Sequence, residues 1–478
     1  MLRKQTFSGL IWTFADTFLL RGVSFIATIV IARLLGPSEF GLIGMISVFL
    51  AIGTSLVDSG LSSSLIRTQD ADDTDFSTVF YLNLGMSFLV YIMLFLAAPY
   101  IAGFYNQTIL TNVIRLYCFS FLISAFSSIQ LAILDKEMQF RKMMLYNIPG
   151  VLIGVSVGIA LGYLGYGVWS IVWMYLTTQI IQSLVLWSFS KWKPSRTFSK
   201  EKMKYHYGFG YKLMLSGLLD TVFKNIYNIL IGKFFSVRSL AFYERANTFN
   251  EYPVSILTSI IARVSYPLMA KMQMEKERLA AVYQQLLQLT FFITAPLMLG
   301  SAAIAKPLFL LVLGTQWLPA VPFFKIICLA SMLYPIHAFN INVLKVSGRS
   351  DLFLKLEILK KIIVVISILI AFQFGIYGLV WSSVITSFLS LIINTHYSSD
   401  IINYTTKNQL LDMLPTFMIS AVIFFIMTYI VSLLETYSNY LQIILPTLAG
   451  FLFYALFNYL IKSVPLLFAI KLLKERNI

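Results

Sequence analysis

The chain has 478 residues, 58% of them hydrophobic and only 12% charged, with a mean hydropathy of +0.79, which excludes an ordinary water-soluble enzyme. Its formal charge of +15 raises nucleic acid as a partner, so the placement of the basic residues has to be settled first. Cys118 and Cys328 lie in apolar runs without paired spacing, which implies neither a disulfide framework nor a zinc site and reads as buried-thiol packing.

A hydrocarbon core takes about 20 apolar residues per helix, and stretches of that length recur to predict about fourteen spans in an all-α, polytopic membrane fold. In chain order they centre on Phe25, Phe49, Leu89, Phe121, Gly154, Leu176, Thr221, Leu257, Thr294, Leu333, Leu369, Thr386, Phe424 and Leu452. The first follows Arg3 and Lys4 and runs to Leu35. It is too long for the apolar region of a signal peptide and lacks a small-x-small cleavage site, so it reads as an anchor that stays.

On that count the basic residues fall in every second loop. They are Lys136, Arg141 and Lys142; Lys191 to Lys204; Lys271, Lys276 and Arg278; Lys345 to Lys361; and Lys471, Lys474 and Arg476. The intervening loops hold little more than Arg238 and Lys306. By the positive-inside rule the basic loops and both termini are cytoplasmic. The charge is then an orientation signal that also meets anionic membrane lipids, and no nucleic-acid partner is expected.

The longest polar stretch, "KWKPSRTFSKEKMKYHY", occupies 191–207 and reads as a cytoplasmic basic linker. It would join an N-terminal lobe of six spans (1–190) to a C-terminal lobe of six (208–400), with 401–478 an added two-helix hairpin and basic tail. Weak internal similarity supports a duplication. "IVIARLLGPSEFGLI" from Ile29 aligns without gaps on "ILIGKFFSVRSLAFY" from Ile229, and "GYGVWS" at Gly165 resembles "IYGLVWS" at Ile376.

Soluble-enzyme chemistry is missing from the pattern. His206, His337 and His396 fall in unrelated segments, so spacing assembles neither a metal cluster nor an acid/base dyad. Nothing matches a phosphate-cradling P-loop. No outer loop exceeds about a dozen residues, which leaves little room for a catalytic loop. The expectation is a protein that is not an enzyme and takes no cofactor.

The informative residues are the charges inside the spans. An ionised side chain at the bilayer centre costs about 2.5 to 3.5 kcal/mol and normally faces a cavity or a partner. Arg21 sits in the middle of the first span. Asp16 is five residues away, roughly 140° round the helix, so Arg21 takes either a partner from another helix or an anion in a watery cavity. Arg33 closes the span beside "GPSEF", where snorkelling or pairing with Glu39 explains it. In the matching span Asp220 and Lys224 are four apart on one face, where they can neutralise each other. Glu244, Arg245 and Asn247 lead into the next helix from the outer side. Asp58, Asn83, Arg115, Lys325, Asn340 and Asn342 suit either a cavity lining or an interhelical hydrogen bond.

Around these residues the chain resembles a known family. The text that carries the resemblance is "ARLLGPSEFGLIGMISVF" from Ala32, "DSGLSSSLI" from Asp58, "FSTVFYLNL" from Phe76, "APYIAGFY" from Ala98 and "LAFYERANTFNEYPVSILTSIIARVSYPLMAKMQ" from Leu240. In this order they are similar to the polysaccharide transporter family, the flippases for O-antigen and exopolysaccharide repeat units. Its superfamily also holds multidrug/toxin extruders and lipid II flippases. Arg21 stands where this branch carries an uncharged polar residue and resembles the cavity arginine of the lipid II flippases.

The resemblance implies two six-helix lobes around a V-shaped cavity, plus two extra helices, alternating between inward- and outward-open states. It implies an undecaprenyl-pyrophosphate-linked oligosaccharide as substrate, moved to the outer leaflet of a bacterial inner membrane. Arg21, Lys224, Arg245, Asn83, Asn247 and Asn340 are then the expected substrate contacts, with Asp16, Asp58 and Asp220 candidates for a coupling H+ or Na+. A polysaccharide polymerase and a chain-length regulator would be further partners. The competing expectations are a drug/cation antiporter of the same fold and a scaffold of polysaccharide assembly that transports nothing.

Overall fold

A chain in lipid has to satisfy every backbone N–H and C=O within itself, and helices do so segment by segment. The computed structural model describes residues 22–475 apart from Ser59, and all regular structure among the described residues is helical. The chain divides into two compact units, one up to Ala241 and one from Phe242 onward.

The first unit holds α1 (Gly22–Leu35), α2 (Pro37–Asp58), α3 (Leu61–Arg67), α4 (Asp73–Tyr105), α5 (Leu110–Tyr117), α6 (Phe119–Lys136), α7 (Phe140–Tyr163), α8 (Val168–Phe189), α9 (Lys200–Lys224) and α10 (Ile226–Phe234). Helix α11 (Val237–Ala270) starts at its edge. The second unit continues with α12 (Lys276–Ala303), α13 (Ala305–Val312), α14 (Ala320–Ser331), α15 (Tyr334–Val346), α16 (Ser350–Ala371), α17 (Gly375–Ile402), α18 (Thr406–Leu433), α19 (Asn439–Leu460) and α20 (Val464–Glu475).

Among the described residues, ten helical stretches are long and apolar enough to cross a membrane, which makes this a multi-pass membrane protein. One of the ten, Asp351–Ile402, contains both α16 and α17, which pack on each other across a 3-10 turn and Gly375 at φ +70°. The expected spans centred on Thr221 and Leu257 form helices of 25 and 34 residues, α9 and α11. Neither is apolar enough to be counted among the ten, because each carries charges along its length.

Of the polar segment 191–207, residues 191–199 are non-helical and the rest opens α9. Ser199 sets the start of the helix by accepting a hydrogen bond from Lys202 N at 3.3 Å. The segment is pinned to α4, since Ser195 N donates to Ser77 Oγ at 3.0 Å and Ser199 N to Thr78 Oγ1 at 3.1 Å. Helix α9 then packs on α2, α3 and α4, which is why the division by packing falls after Ala241 and not at the polar segment.

Close helix approach uses small residues. Gly150, Gly154 and Gly158 line the face that α7 turns to α8, and a Cβ on Gly154 would stand 2.0 Å from Thr178 Oγ1. The hairpin α18–α19 packs on itself, with α18 also against α12.

Candidate functional site

Helix α9 shows what happens when a helix of membrane length is not apolar. Lys212, Ser216, Asp220 and Lys224 follow one another at four-residue steps, which places them along one face. All four are exposed. Hydrocarbon does not tolerate such a row, so this face has to meet water or a polar partner.

Beside this row α9 is anchored to α2 and α3. Ser55 Oγ and Thr221 Oγ1 are 2.9 Å apart. Further along, Gly60 breaks α2 from α3 at φ +65°, where a Cβ would come within 3.0 Å of Leu213 Cβ and 3.1 Å of the Gly210 backbone. Asp58, also exposed, falls between these two contacts on α2, and Asp220 and Lys224 flank Thr221 on α9. Asp58, Asp220 and Lys224 thus each lie within three residues of the Ser55–Thr221 contact between α2 and α9.

In the second unit α11 repeats the pattern. Asn247, Glu251 and Ser259 are exposed and Ser255 is half-buried, again at four-residue steps. Arg245 is not on that row. It is 6% exposed, with its guanidinium 5.5 Å from the centre of the Trp317 ring, a cation–π distance that suits Arg inside a packed unit.

The buried asparagines serve helix packing. Asn83 Nδ2 donates to Ser128 Oγ at 2.6 Å, joining α4 to α6. Asn340 Oδ1 accepts from the Tyr283 hydroxyl at 2.5 Å and from Ser398 Oγ at 3.0 Å. The same Tyr283 oxygen lies 2.9 Å from Gln409 Oε1, so α12, α15, α17 and α18 share one polar knot. Asn342 Nδ2 donates to Ser265 Oγ at 3.2 Å. Asp16 and Arg21 lie outside the described residues. Among the described residues no group of His, Cys, Asp and Glu is placed to hold a metal ion.

Sequence reasoning missed two features. Lys212, Ser216, Glu251 and Ser259 were legible by applying the helical period to polar residues as well as apolar ones. The second is a cluster where α9 begins. His206, fully buried, lies 2.8 Å from Ser64 Oγ through Nδ1 and 3.0 Å from Asp75 Oδ1 through Nε2. Lys202 Nζ donates to Asp75 Oδ2 at 2.8 Å and to Asp72 Oδ1 at 2.6 Å. The Lys202 ammonium holds the Asp72 carboxyl down at about 2. Desolvation works to lower Lys202, but its bonds to the two carboxylates outweigh it and keep the ammonium above the ordinary lysine value.

This architecture has known relatives. The chain is 25% identical over 429 residues to the teichuronic acid biosynthesis protein TuaB of Bacillus subtilis (strain 168), covering 88% of each chain. It is 23% identical over 396 residues to the lipopolysaccharide biosynthesis protein WzxC of Escherichia coli (strain K12), covering 82% of this chain and 80% of that one. The solved structure of the lipid II flippase MurJ in an inward closed conformation superposes with a TM-score of 0.72 over 95% of this chain and 98% of that one, at 16% identity. An inward-facing multidrug MATE transporter follows at a TM-score of 0.61 and 17% identity, covering 82% and 98%. The two solved structures show a shared fold, and the two sequence relatives bear out the resemblance to proteins of polysaccharide biosynthesis. The family described as Polysaccharide biosynthesis protein matches residues 30–322, and the chain belongs to it.

Proposed function

We propose that the protein is a flippase for an undecaprenyl-pyrophosphate-linked oligosaccharide, carrying it to the outer leaflet of a bacterial inner membrane by alternating access. The observation that carries this reading is the exposed row Lys212, Ser216, Asp220 and Lys224 on a helix of membrane length. An anionic pyrophosphate with a sugar chain cannot cross hydrocarbon unassisted. The two lysines and the serine of that row, facing water, offer it charge-assisted hydrogen bonds while the prenyl tail stays in lipid.

In this reading α1, α9 with α10, and α11 are further spans that bring the total to about fourteen, arranged as two lobes with a hairpin and with both termini cytoplasmic. Arg21 and Lys224 meet the pyrophosphate from equivalent helices and Asn247 lines the path, while Arg245, Asn83 and Asn340 hold together the helices that frame it. Asp16, Asp58 and Asp220 are available to a coupling H+ or Na+, and the membrane potential adds about 2.3 kcal/mol per charge per 100 mV. A drug/cation antiporter would favour acids on such a row, and two of the three charges on the α9 row are lysines.

The test is Arg21→Ala and Lys224→Ala in cells that depend on the exporter. Surface polysaccharide should fall at least tenfold in each, at equal protein level. Unchanged polysaccharide in both would remove the binding role.

A further inference from the structure

Both ring nitrogens of His206 have a partner, and only one of them has a fixed role. A carboxylate accepts and does not donate, so Nε2, 3.0 Å from Asp75 Oδ1, carries hydrogen whether the ring is neutral or charged. At Nδ1, 2.8 Å from Ser64 Oγ, either direction works. A neutral ring accepts from the serine hydroxyl, an imidazolium donates to it, and the hydroxyl serves both by rotating. A proton can therefore be added at Nδ1 without moving a heavy atom.

The cluster around the ring carries a negative charge. With the ring neutral, Asp72 and Asp75 set against Lys202 leave one net negative charge in the cluster. One proton on His206 cancels it, and a buried carboxylate is costly unless compensated. Other charges on the packed elements are engaged or peripheral. The Arg67 guanidinium of α3 lies 4.6 Å from the centre of the Phe209 ring. Lys136 of α6 donates to the Thr68 carbonyl at 2.6 Å. Asp70 just before α4, Asp73 at its start, Asp58 on α2, Lys191, Lys193 and Arg196 on the segment pinned to α4, and Lys200, Glu201, Lys204, Lys212, Asp220 and Lys224 on α9 are exposed, while Glu39 and Lys233 sit at the far ends of α2 and α10.

We propose that Nδ1 of His206 is a proton-binding site built into the corner of α3, α4 and α9, and that its occupancy sets how firmly the start of α9 is held. The step is a simple transfer, in which hydronium and neutral imidazole give water and imidazolium. Once charged, the ring holds Asp75 and Ser64 by charge-assisted bonds, which are about twice as strong as neutral ones. Helix α9 runs unbroken from Lys200 to Lys224, so a change at His206 reaches Lys224 about 27 Å along one rigid element. Resting on the flippase reading, this makes His206 and Asp75 a place where a proton gradient is coupled to the substrate-facing row.

The experiment uses the full chain in lipid nanodiscs with 15N-labelled histidine. Three histidines are present, and His206→Gln assigns the signal. Across the pH range in which histidines change charge, the His206 Nδ1 signal should pass from the acceptor form to the protonated form. Asp75→Asn should move that transition to at least tenfold higher proton concentration. Ser64→Ala, which keeps ring and carboxylate, should move it the same way and serves if Asp75→Asn does not fold. A ring signal that never changes, or a transition indifferent to both substitutions, overturns the site.

A second arm follows leaflet exchange of a fluorescent undecaprenyl-pyrophosphate oligosaccharide in proteoliposomes with an imposed pH gradient. Wild-type exchange should follow the gradient and His206→Gln exchange should not; equal gradient dependence in the two overturns the coupling. If wild type exchanges nothing while the ring titrates, the flippase reading fails and the proton site stands. If it exchanges while the ring never titrates, the proton site fails alone.

Discussion

His206 and Asp75 are 131 residues apart in sequence, yet Nε2 of one lies 3.0 Å from Oδ1 of the other, and this contact fastens the start of α9 to the start of α4. Breaking a buried pair from one side leaves the other group uncompensated. Asp75→Ala should therefore destabilise the protein by about 3 kcal/mol, seen as a lower midpoint of thermal unfolding in detergent. Lys202→Ala should cost under about 1 kcal/mol, because the Lys202 side chain is 29% exposed. Equal losses would mean that the histidine contact adds nothing.

The Asp72 carboxyl is held at about 2 by the hydrogen bond from Lys202, below its unfolded value of about 3.9. A depressed carboxylate stabilises the fold fully above the unfolded value, and the contribution fades as pH falls through the folded one. Between pH 4 and 2, wild type should lose stability faster than Asp72→Asn. The slope of unfolding midpoint against pH checks this, and parallel slopes would contradict it.

Two glycines are predicted to be intolerant of a single methyl group. Gly60→Ala puts a Cβ on a residue at φ +65° against Leu213 and Gly210, and should cost about 1 to 2 kcal/mol. Gly154→Ala drives a Cβ to 2.0 Å from Thr178 Oγ1 and should lower the yield of folded protein further. Gly85→Ala meets nothing within 4 Å and should be neutral. Yield and monodispersity on size exclusion separate the three.

Residues that hold helices together should part from residues that meet substrate. Tyr283→Phe or Asn340→Ala removes a member of the buried knot and should cost about 1 to 3 kcal/mol of stability. Polysaccharide export per folded molecule should change less than twofold. Lys224→Ala, on the exposed row, should leave thermal stability within about 0.5 kcal/mol while export collapses. Reversed results would exchange the roles of Asn340 and Lys224.

Hydropathy made most of the helices legible, because apolar runs of membrane length have few alternatives in lipid. The α9 and α11 regions were placed from residual apolar content, and their polar faces were read only in part. Asp220 and Lys224 stood out as an i,i+4 pair, but the continuation to Lys212 and Ser216 was hidden among aromatic and aliphatic neighbours. Asn83 and Asn340 carried no mark that distinguishes a cavity liner from an interhelical bond. The corner at His206 was illegible for a different reason. Local spacing carries no information about a contact made through tertiary packing of α3, α4 and α9, and a histidine near a basic run reads as part of that run.

The central claim is that the exposed face of α9 meets water inside the membrane. Cys118 and Cys328 are both 0% exposed, so they leave a silent background for labelling. Ser216→Cys and Lys224→Cys should react with a charged, membrane-impermeant thiol reagent in sealed vesicles. Leu452→Cys, on an apolar helix and 66% exposed, should not. If Ser216→Cys and Lys224→Cys prove as unreactive as Leu452→Cys, the row faces neither water nor a substrate path, and the account fails.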